Sequence, residues 1–89
     1  MFSIIVPSYN RKDEIPVLLE SLTKQTSYNF DVVIVDDCSK EPVDVTQAYP
    51  FAVKVIRNET NQGAAESRNI GARNADNDWL LFLDDDDRF

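Results

Sequence analysis

The chain has 89 residues, 43% of them hydrophobic and 28% charged, which is the composition of one small globular domain. Its 16 acidic residues outnumber 9 basic ones, and the net charge of −7 without a basic stripe argues against binding to nucleic acid or an anionic membrane. The single cysteine, Cys38, excludes an internal disulfide and indicates a reducing compartment. No apolar run approaches the ~20 residues of a membrane span, and the first residues predict a strand rather than a signal peptide, so we expect a cytoplasmic chain.

The first third of the chain predicts a strand, a helix and a second strand. The β-rich run Phe2–Val6 predicts the first strand, which stops at Pro7. An amphipathic helix is predicted by apolar residues at i, i+3, i+4 and i+7, namely Ile15, Leu18, Leu19 and Leu22. We place this helix from Pro16 to about Gln25, after a loose turn, because proline is tolerated at the first helical position. Residues 30–35 are apolar on both faces, as a buried parallel strand should be.

The remainder of the chain continues the alternation. Residues 43–49 predict a short helix, residues 52–56 predict a third strand at a sheet edge, and Gly63 opens a third helix of small residues. Gly71 lies inside that helix at a cost of about 1 kcal/mol relative to alanine, which indicates that another backbone packs closely there. The apolar run Trp79–Leu83 predicts a buried fourth strand with Trp79 in the core.

Strands that alternate with helices predict an α/β fold, a three-layer arrangement with a mostly parallel sheet between flanking helices. Parallel strands place their carboxyl ends at one edge of the sheet, where ligands bind in open α/β folds. Polar and acidic residues follow the predicted strands at that edge: Tyr9, Asn10, Asp36, Asp37, Asn58 and Asp84 to Asp87. The sequence therefore predicts one binding site assembled from distant segments.

The four consecutive carboxylates Asp84–Asp87 are the most unusual feature of this edge. Two unit charges about 5 Å apart repel by roughly 3 kcal/mol at an effective dielectric constant near 20, so the run favours a bound cation or full solvation. Oxygen ligands suit Mg²⁺, Mn²⁺ or Ca²⁺, and the site would then take a polar, phosphorylated ligand. The alternative interpretation is a solvated acidic chain end.

Other phosphate-binding and catalytic signatures are missing from the sequence. Neither GxGxxG nor GxxxxGK[ST] occurs, so phosphate would depend on a metal ion, on helix N-termini, or on Arg68 and Lys12. The chain also contains no histidine, which removes the commonest general base.

Four stretches together resemble the family 2 nucleotide-sugar glycosyltransferases, whose nucleotide-binding half has the GT-A fold. They are Ser3–Asn10 (SIIVPSYN), Val33–Ser39 (VIVDDCS), Asn61–Asn69 (NQGAAESRN) and Leu81–Asp87 (LFLDDDD). Each stretch is a weak signal alone. The four occur in the family's order and approximate spacing and cover nearly the whole chain, so the resemblance is specific.

The resemblance implies a nucleotide-binding role for several residues. Tyr9, with the backbone near Pro7, would lie against a uracil ring, and Asp37 would accept the uracil N3–H, which cytosine lacks. Arg68 would approach the nucleotide from the third predicted helix. For the neighbouring Asp36, a capping or turn role is an equal alternative to a role in ligand binding.

The resemblance also implies roles for the first three carboxylates of the run Asp84–Asp87. Asp84-Asp85-Asp86 would be the family's DxD motif, in which Asp84 and Asp85 contact the ribose. Asp86 would hold the Mn²⁺ or Mg²⁺ ion that bridges the diphosphate, and this Lewis acid would stabilise charge on the departing nucleoside diphosphate.

The sequence departs from the family in one respect. The family's catalytic base is an acidic residue well downstream of the DxD motif, and no residue here corresponds to it. We therefore expect residues 1–89 to be the nucleotide-sugar-binding part of an inverting glycosyltransferase, truncated after the DxD motif and inactive alone. The full enzyme would transfer sugar from a UDP-linked donor to a saccharide or polysaccharide acceptor, and the resemblance leaves open a membrane-associated parent enzyme. The Trp79 strand would be left as an exposed edge, which favours self-association.

Two alternatives remain open at this point. One is a receiver-like signalling domain that binds Mg²⁺ in an acidic pocket, although the acidic pair of receivers follows the first strand, where this chain has Pro7–Asn10. The other is an inert metal-binding fragment without turnover.

Overall fold

A computed structural model describes residues 1–85. The elements in chain order are β1 (Phe2–Ser8), α1 (Glu14–Leu22), β2 (Phe30–Asp36), β3 (Val53–Arg57), α2 (Ala64–Arg73) and β4 (Leu80–Phe82). Across residues 1–85, neither helix combines the length and the apolar character needed to cross a membrane.

The strands form one sheet in the order β3-β2-β1-β4, and every pairing is parallel. In the register, Ser8 lies beside Asp36, Asp36 beside Arg57, and Ile5 beside Phe82. This arrangement confirms the predicted parallel α/β sheet. The order 3-2-1-4 is that of the nucleotide-binding Rossmann half, whereas receiver-like folds have the order 2-1-3-4-5. The receiver-like alternative is therefore wrong for this chain.

The alternation of side chains along β1 and β2 divides the core into two layers. Ile4 and Val6 of β1 pack with Val32 and Ile34 of β2 against α1, whose buried residues include Ile15, Leu18, Leu19 and Leu22. On the opposite face, Ile5, Val33 and Val35 form a smaller cluster with the α2 residue Ile70. Both central strands are thus covered on both faces, which explains their continuous apolar sequence.

Helix α1 begins and ends earlier than the sequence predicted. It spans Glu14–Leu22, so Glu14 and Ile15, which were expected to belong to the turn before the helix, are already helical. Pro16 is the third helical residue, and it is still tolerated because the first backbone N–H groups of a helix have no intrahelical acceptor.

The helix predicted over residues 43–49 is wrong, because the structure has no regular element there. The backbone N–H of Val43 donates instead to the carboxylate of Asp36 at 3.0 Å. Val43 is buried, and Val45 and Tyr49 pack at the margin of the α1-side core. Packing of β-branched residues against the core therefore overrides a weak local helix preference.

The two outer strands differ from the central ones in exposure. β3 is at an edge of the sheet, as predicted, and its residues are half-buried or exposed. β4 occupies the other edge, and the prediction of a buried strand is wrong because all three residues are exposed. Trp79 is 77% exposed and does not belong to the core as predicted. An apolar run identifies a strand here but does not report how much of it is covered.

Close packing at Gly71 is confirmed, although the neighbours are side chains rather than another backbone. A Cβ atom at Gly71 would lie 2.4 Å from Cγ2 of Ile5 and 3.1 Å from Cγ2 of Val35. The absence of a side chain lets α2 approach the sheet, and this approach brings the first turn of α2 to the carboxyl edge of β1 and β2.

Candidate functional site

A cleft of about 490 Å³ opens at the carboxyl edge of the sheet, where β1 meets β4. Connections on either side of this point run in opposite directions, so the loops separate and leave a crevice. The lining residues come from four segments of the chain, one of which runs into α2: Pro7, Ser8, Tyr9, Arg11, Asp37, Asn61, Gly63, Ala64, Ser67, Arg68, Asp84 and Asp85.

The six residues predicted to bind the nucleotide all line this cleft: Pro7, Tyr9, Asp37, Arg68, Asp84 and Asp85. Pro7 is the penultimate residue of β1 and is half-buried. Tyr9 follows β1 directly and leaves 51% of its surface exposed, so its ring is available to a planar ligand. The structure thus brings together residues that lie up to about 80 positions apart in the sequence.

Asp37 is buried at the end of β2 and organises the loop that leads into α2. Its Oδ1 accepts hydrogen bonds from Asn58 Nδ2 at 2.9 Å and from the backbone N–H of Gln62 at 2.7 Å. Its Oδ2 accepts the backbone N–H of Gly63 at 2.9 Å. Burial works to raise the pKa of Asp37, but these bonds and one from Ser67 outweigh it and lower the pKa below its ordinary value. Asp37 is therefore an ionised acceptor at neutral pH.

Asp36 is fully buried and faces away from the cleft contacts of Asp37. Its Oδ2 accepts Arg57 Nη1 at 2.8 Å and the N–H of Val43, and its Oδ1 accepts the N–H of Ser39 at 3.1 Å. Burial works to raise the pKa of Asp36, but the hydrogen bonds from Ser39 and Val43 and the charge of Arg57 lower it overall. These contacts support the turn role that the sequence left as an alternative.

Two arginines flank the acidic residues of the cleft. Arg68 Nη2 lies 3.5 Å from Asp84 Oδ1, and Arg11 Nε lies 3.9 Å from Asp85 Oδ1. Asp84 is largely exposed, whereas the Asp85 side chain is 13% exposed. Both carboxylates belong to the segment that follows β4, so the short pairing of β4 with β1 fixes their approach to the cleft.

The acidic segment fits a hard divalent cation in its chemistry, since Asp84 and Asp85 supply carboxylate oxygens beside the cleft. Within residues 1–85, no three side chains of the metal-binding types converge on one point. Asp86, the predicted metal ligand, lies outside the described residues.

The sequence reasoning missed several lining residues, of which Arg11 is the charged one. Its neighbour Lys12 was predicted to bind phosphate. In the structure, Lys12 Nζ lies 3.0 Å from Glu41, and Lys12 lines a separate concavity. A strand-to-helix loop does not reveal from its sequence which of two adjacent cations points into a cleft. Ser67 and Gly63 carried a detectable signal, because both lie in the motif around Arg68.

Two hydrogen bonds of Asn10 join the loops that follow β1 and β2. The backbone N–H of Asn10 donates to Ser39 Oγ at 2.8 Å, and Asn10 Oδ1 accepts the N–H of Lys40 at 2.9 Å. Asn10 has φ 54° and Cys38 has φ 61°, the left-handed conformation that tight turns require. Asn10 and Cys38 therefore shape the tight turns of these two loops.

Comparison with known proteins places this geometry in a family. The profile of "Glycosyl transferase family 2" matches residues 3–89. A relative from Haemophilus influenzae, called an uncharacterized glycosyltransferase, is 76% identical over the whole chain, which covers 30% of that protein. The chain spans about a third or less of the length of the curated relatives it matches.

Solved structures agree with the profile. Staphylococcus aureus TarS, residues 1–349, superposes with a TM-score of 0.85 at 40% identity, covering 98% of this chain and 28% of that one. The complex of TarS with UDP-GlcNAc superposes with a TM-score of 0.78 at 36% identity, covering 96% and 26% of the two chains. A relative from Bacillus subtilis, the uncharacterized glycosyltransferase YwdF, is 38% identical over 98% of this chain and 33% of its own length. By its profile, its relatives and its GT-A architecture, this chain belongs to glycosyl transferase family 2.

Proposed function

We propose that this chain is the donor-binding portion of an inverting glycosyltransferase that transfers a sugar from a UDP-sugar to an acceptor hydroxyl with a divalent metal. The observation that carries the proposal is that all six predicted nucleotide-binding residues line one cleft. The cleft also lies at the reversal point of the sheet, where ligands bind in open α/β folds. The lone cysteine favours a cytoplasmic location.

In the proposed site, the inner end of the cleft binds the base of the nucleotide. Tyr9 and Pro7 supply the surface against which a uracil ring lies, and the ionised Asp37 accepts its N3–H. Asp37 Oδ1 already accepts two hydrogen bonds, whereas Oδ2 accepts the Gly63 N–H. Since each carboxylate oxygen has about two acceptor sites, we assign the base contact to Oδ2.

The outer end of the cleft would take the ribose and the diphosphate. Asp84 and Asp85 would contact the ribose, and Asp86 would hold Mn²⁺ or Mg²⁺ with help from the donor phosphates, as is usual for Mg²⁺. When bound, the ion supplies Lewis-acid stabilisation of the nucleoside diphosphate. Arg68 offers a positive charge on the α2 side of the same space.

Relatives support a nucleotide-sugar donor. TarS has been solved with UDP and with UDP-GlcNAc, at 40% and 36% identity to this chain. The curated relatives extend well beyond the matched region. We propose that the acceptor site and the catalytic base belong to such a further region. Transfer needs an acceptor hydroxyl in line with the anomeric carbon and a base within about 3 Å. The 89-residue chain would then bind a donor without multiple turnovers.

The test is calorimetry with UDP in the presence of Mn²⁺ or of EDTA. We expect UDP to bind more tightly with the metal, because the carboxylates repel a bare diphosphate. Asp86→Asn should lose most of this difference and Asp84→Asn less. Equal affinity in Mn²⁺ and EDTA would refute the metal bridge, and absence of UDP binding under both conditions would refute the donor site. Multiple turnovers of a UDP-sugar onto an added acceptor, lost in Asp86→Asn, would overturn the claim that the catalytic base lies elsewhere.

A further inference from the structure

A buried polar cluster lies at the amino edge of the sheet, at the opposite end from the cleft. Ser3 of β1 and Asp31 of β2 are neighbours in the register, and both are buried. The Ser3 hydroxyl donates to Asp31 Oδ1, and Asn77 Nδ2 lies 3.1 Å from both Ser3 Oγ and Asp31 Oδ1. We call these three residues the amino-edge cluster. Since a buried polar group that loses its partner is costly, each of the three holds the other two in place.

The amino-edge cluster fastens the chain where it enters β4. Asn77 belongs to the loop between α2 and β4, just before the strand begins. The backbone N–H of Ser3 donates to the carbonyl oxygen of Trp79 at 2.8 Å. Ser3 therefore holds the incoming strand twice, through its own backbone and through the side chain of Asn77.

The apolar sequence of β4 does not fix the register of this strand. Residues 79–83 read WLLFL, and β4 pairs with β1 through three residues. If β4 moved two residues toward the carboxyl edge, Trp79 would take the place of Leu81 beside β1. Leu80 would likewise take the place of Phe82, and each exchange replaces one apolar side chain with another. Because side chains along a strand alternate with a period of two, this shift also keeps each of them on its original face, and strands of undifferentiated sequence are prone to such slippage.

The register of β4 decides where the acidic segment meets the cleft. A shift of two residues at about 3.3 Å per residue would carry Asp84 and Asp85 about 6.6 Å along the strand direction. Asn77 opposes this shift, because moving it breaks both of its hydrogen bonds to the buried pair. We infer that Asn77 is a positioning residue, which sets the register of β4 through the amino-edge cluster and thereby places Asp84 and Asp85 at the cleft. The part of this inference that concerns the donor rests on the proposed function.

Variants of the cluster separate its hydrogen bonds from other effects of mutation. Asn77→Ala removes the donor, and Asn77→Asp replaces it with a second carboxylate beside Asp31, which that carboxylate repels. The double variant Asp31→Asn/Asn77→Asp exchanges the two side chains and restores a donor opposite an acceptor. Asn74→Ala is the matched control, because Asn74 is an exposed asparagine of the same connection whose side chain donates back to the Ile70 carbonyl of α2 at 2.8 Å.

The first measurement is amide hydrogen exchange without any ligand. The N–H of Leu83 donates to the Ile5 carbonyl at 3.0 Å and so depends on the register of β4, whereas the N–H of Asp37 donates to the Ser8 carbonyl at 2.8 Å and does not involve β4. We expect Asn77→Asp to speed exchange at Leu83 about tenfold relative to Asp37, since losing hydrogen bonds to a carboxylate favours local opening. The double variant should restore the wild-type rate.

The second measurement titrates UDP and uridine in Mn²⁺. Uridine reports on the base contacts at Tyr9 and Asp37, which follow β1 and β2, whereas UDP depends also on the acidic segment after β4. We expect Asn77→Asp to weaken UDP about tenfold, because the apparent affinity falls with the fraction of molecules in the competent register, and to leave uridine unchanged. Asn77→Ala should show a smaller loss, the double variant should recover UDP binding, and Asn74→Ala should match wild type.

The outcomes separate the register of β4 from the donor site. Unchanged exchange at Leu83 in Asn77→Asp overturns the inference, and unchanged UDP binding in that variant overturns the placement of the acidic segment while the donor site stands. An equal loss of uridine and UDP, the same losses in Asn74→Ala, or a double variant as weak as Asn77→Asp would also overturn it. If wild type binds neither UDP nor uridine, the proposed function fails, and exchange at Leu83 alone then decides whether Asn77 sets the register.

Discussion

Asp36 and Asp37 are adjacent and both buried, but their carboxylates serve different parts of the molecule. Successive side chains of a strand point to opposite faces of the sheet, so Asp36 meets Val43 and Arg57 on one side. Asp37 meets the loop before α2 on the other side. One residue thus stabilises the fold while its neighbour shapes the cleft.

The buried carboxylate of Asp36 should make stability depend on pH. Its pKa is lowered in the folded state, so its contribution is present above the unfolded-state value near 4 and is lost as pH falls through the folded-state value. We expect the free energy of unfolding to fall on acidification below about pH 4, and Asp36→Asn to flatten that dependence while lowering stability at pH 7. Urea denaturation from pH 7 to pH 3 measures both effects. Asp44→Asn, which removes an exposed carboxylate, is the control, and an unchanged pH slope in Asp36→Asn would count against this role.

Asp37 should determine the preference for uracil. Losing a charge-assisted hydrogen bond costs about 1.5–3 kcal/mol, so Asp37→Ala should weaken UDP and narrow the difference between UDP and CDP. Because Asp37 also holds the loop at residues 61–63, loosening of the loop must be separated from loss of the base contact. Asn58→Ala removes a loop contact but leaves the carboxylate, and it should keep the ratio of UDP to CDP affinity. Equal binding of UDP and CDP by wild type would show that Asp37 has another role.

At the scale of elements, hydrophobic periodicity in the sequence predicted α1. Features that depend on tertiary contacts between elements could not be predicted in this way. The spacing of Ile15, Leu18, Leu19 and Leu22 predicted α1 and its buried stripe, and all four are buried. The irregular path of residues 43–49 could not be predicted, because it depends on the carboxylate of Asp36 and on space at the core margin. The exposure of Trp79 likewise depends on what packs beside the edge strand β4. The sequence of the apolar run Trp79–Leu83 does not contain this information.

The residues that line the cleft also divide into those that the sequence predicted and those that it did not. The motif resemblance named six lining residues, whereas Arg11 was missed because its direction depends on the path of the loop after β1. Strand ends can be located from apolar runs, so the position of the site at the carboxyl edge was predictable from the sequence.

The contact of α2 with the sheet gives a prediction at Gly71. An alanine there gains about 1 kcal/mol of helix propensity, but its Cβ would lie 2.4 Å from Ile5. Overpacking of a core costs about 1–3 kcal/mol, so we expect Gly71→Ala to lower the free energy of unfolding by about 1 kcal/mol net. Asn69→Ala, at an exposed position of α2, gains propensity without a clash and should be neutral or stabilising. Chemical denaturation compares the two variants, and a more stable Gly71→Ala would show that α2 can move away from the sheet at little cost.

At the scale of the whole molecule, the sheet is covered unevenly. The face beneath α1 has a large core, the face beneath α2 a smaller one, and the edge strand β4 is exposed together with Trp79. In the described part of the chain, β4 pairs with β1 alone, so its other edge presents backbone groups and apolar side chains to solvent. Such an edge is a template for pairing with another strand.

We therefore expect the 89-residue chain to self-associate through β4 and the apolar surface beside it, most simply as a two-fold dimer. A two-fold axis would pair the β4 strands of two copies antiparallel, and each copy would cover the Trp79 and Phe82 side chains of the other. Trp79→Lys should weaken this association, because it adds a charge to a side chain that is 77% exposed in one copy and buried in the pair. Val17→Lys adds the same charge to an exposed apolar position of α1, away from β4, and should leave the association unchanged. Light scattering and sedimentation velocity over a concentration series measure the mass of each variant. A wild-type chain that stays monomeric at high concentration would refute the dimer, and equal dissociation of the Trp79→Lys and Val17→Lys variants would move the interface away from β4.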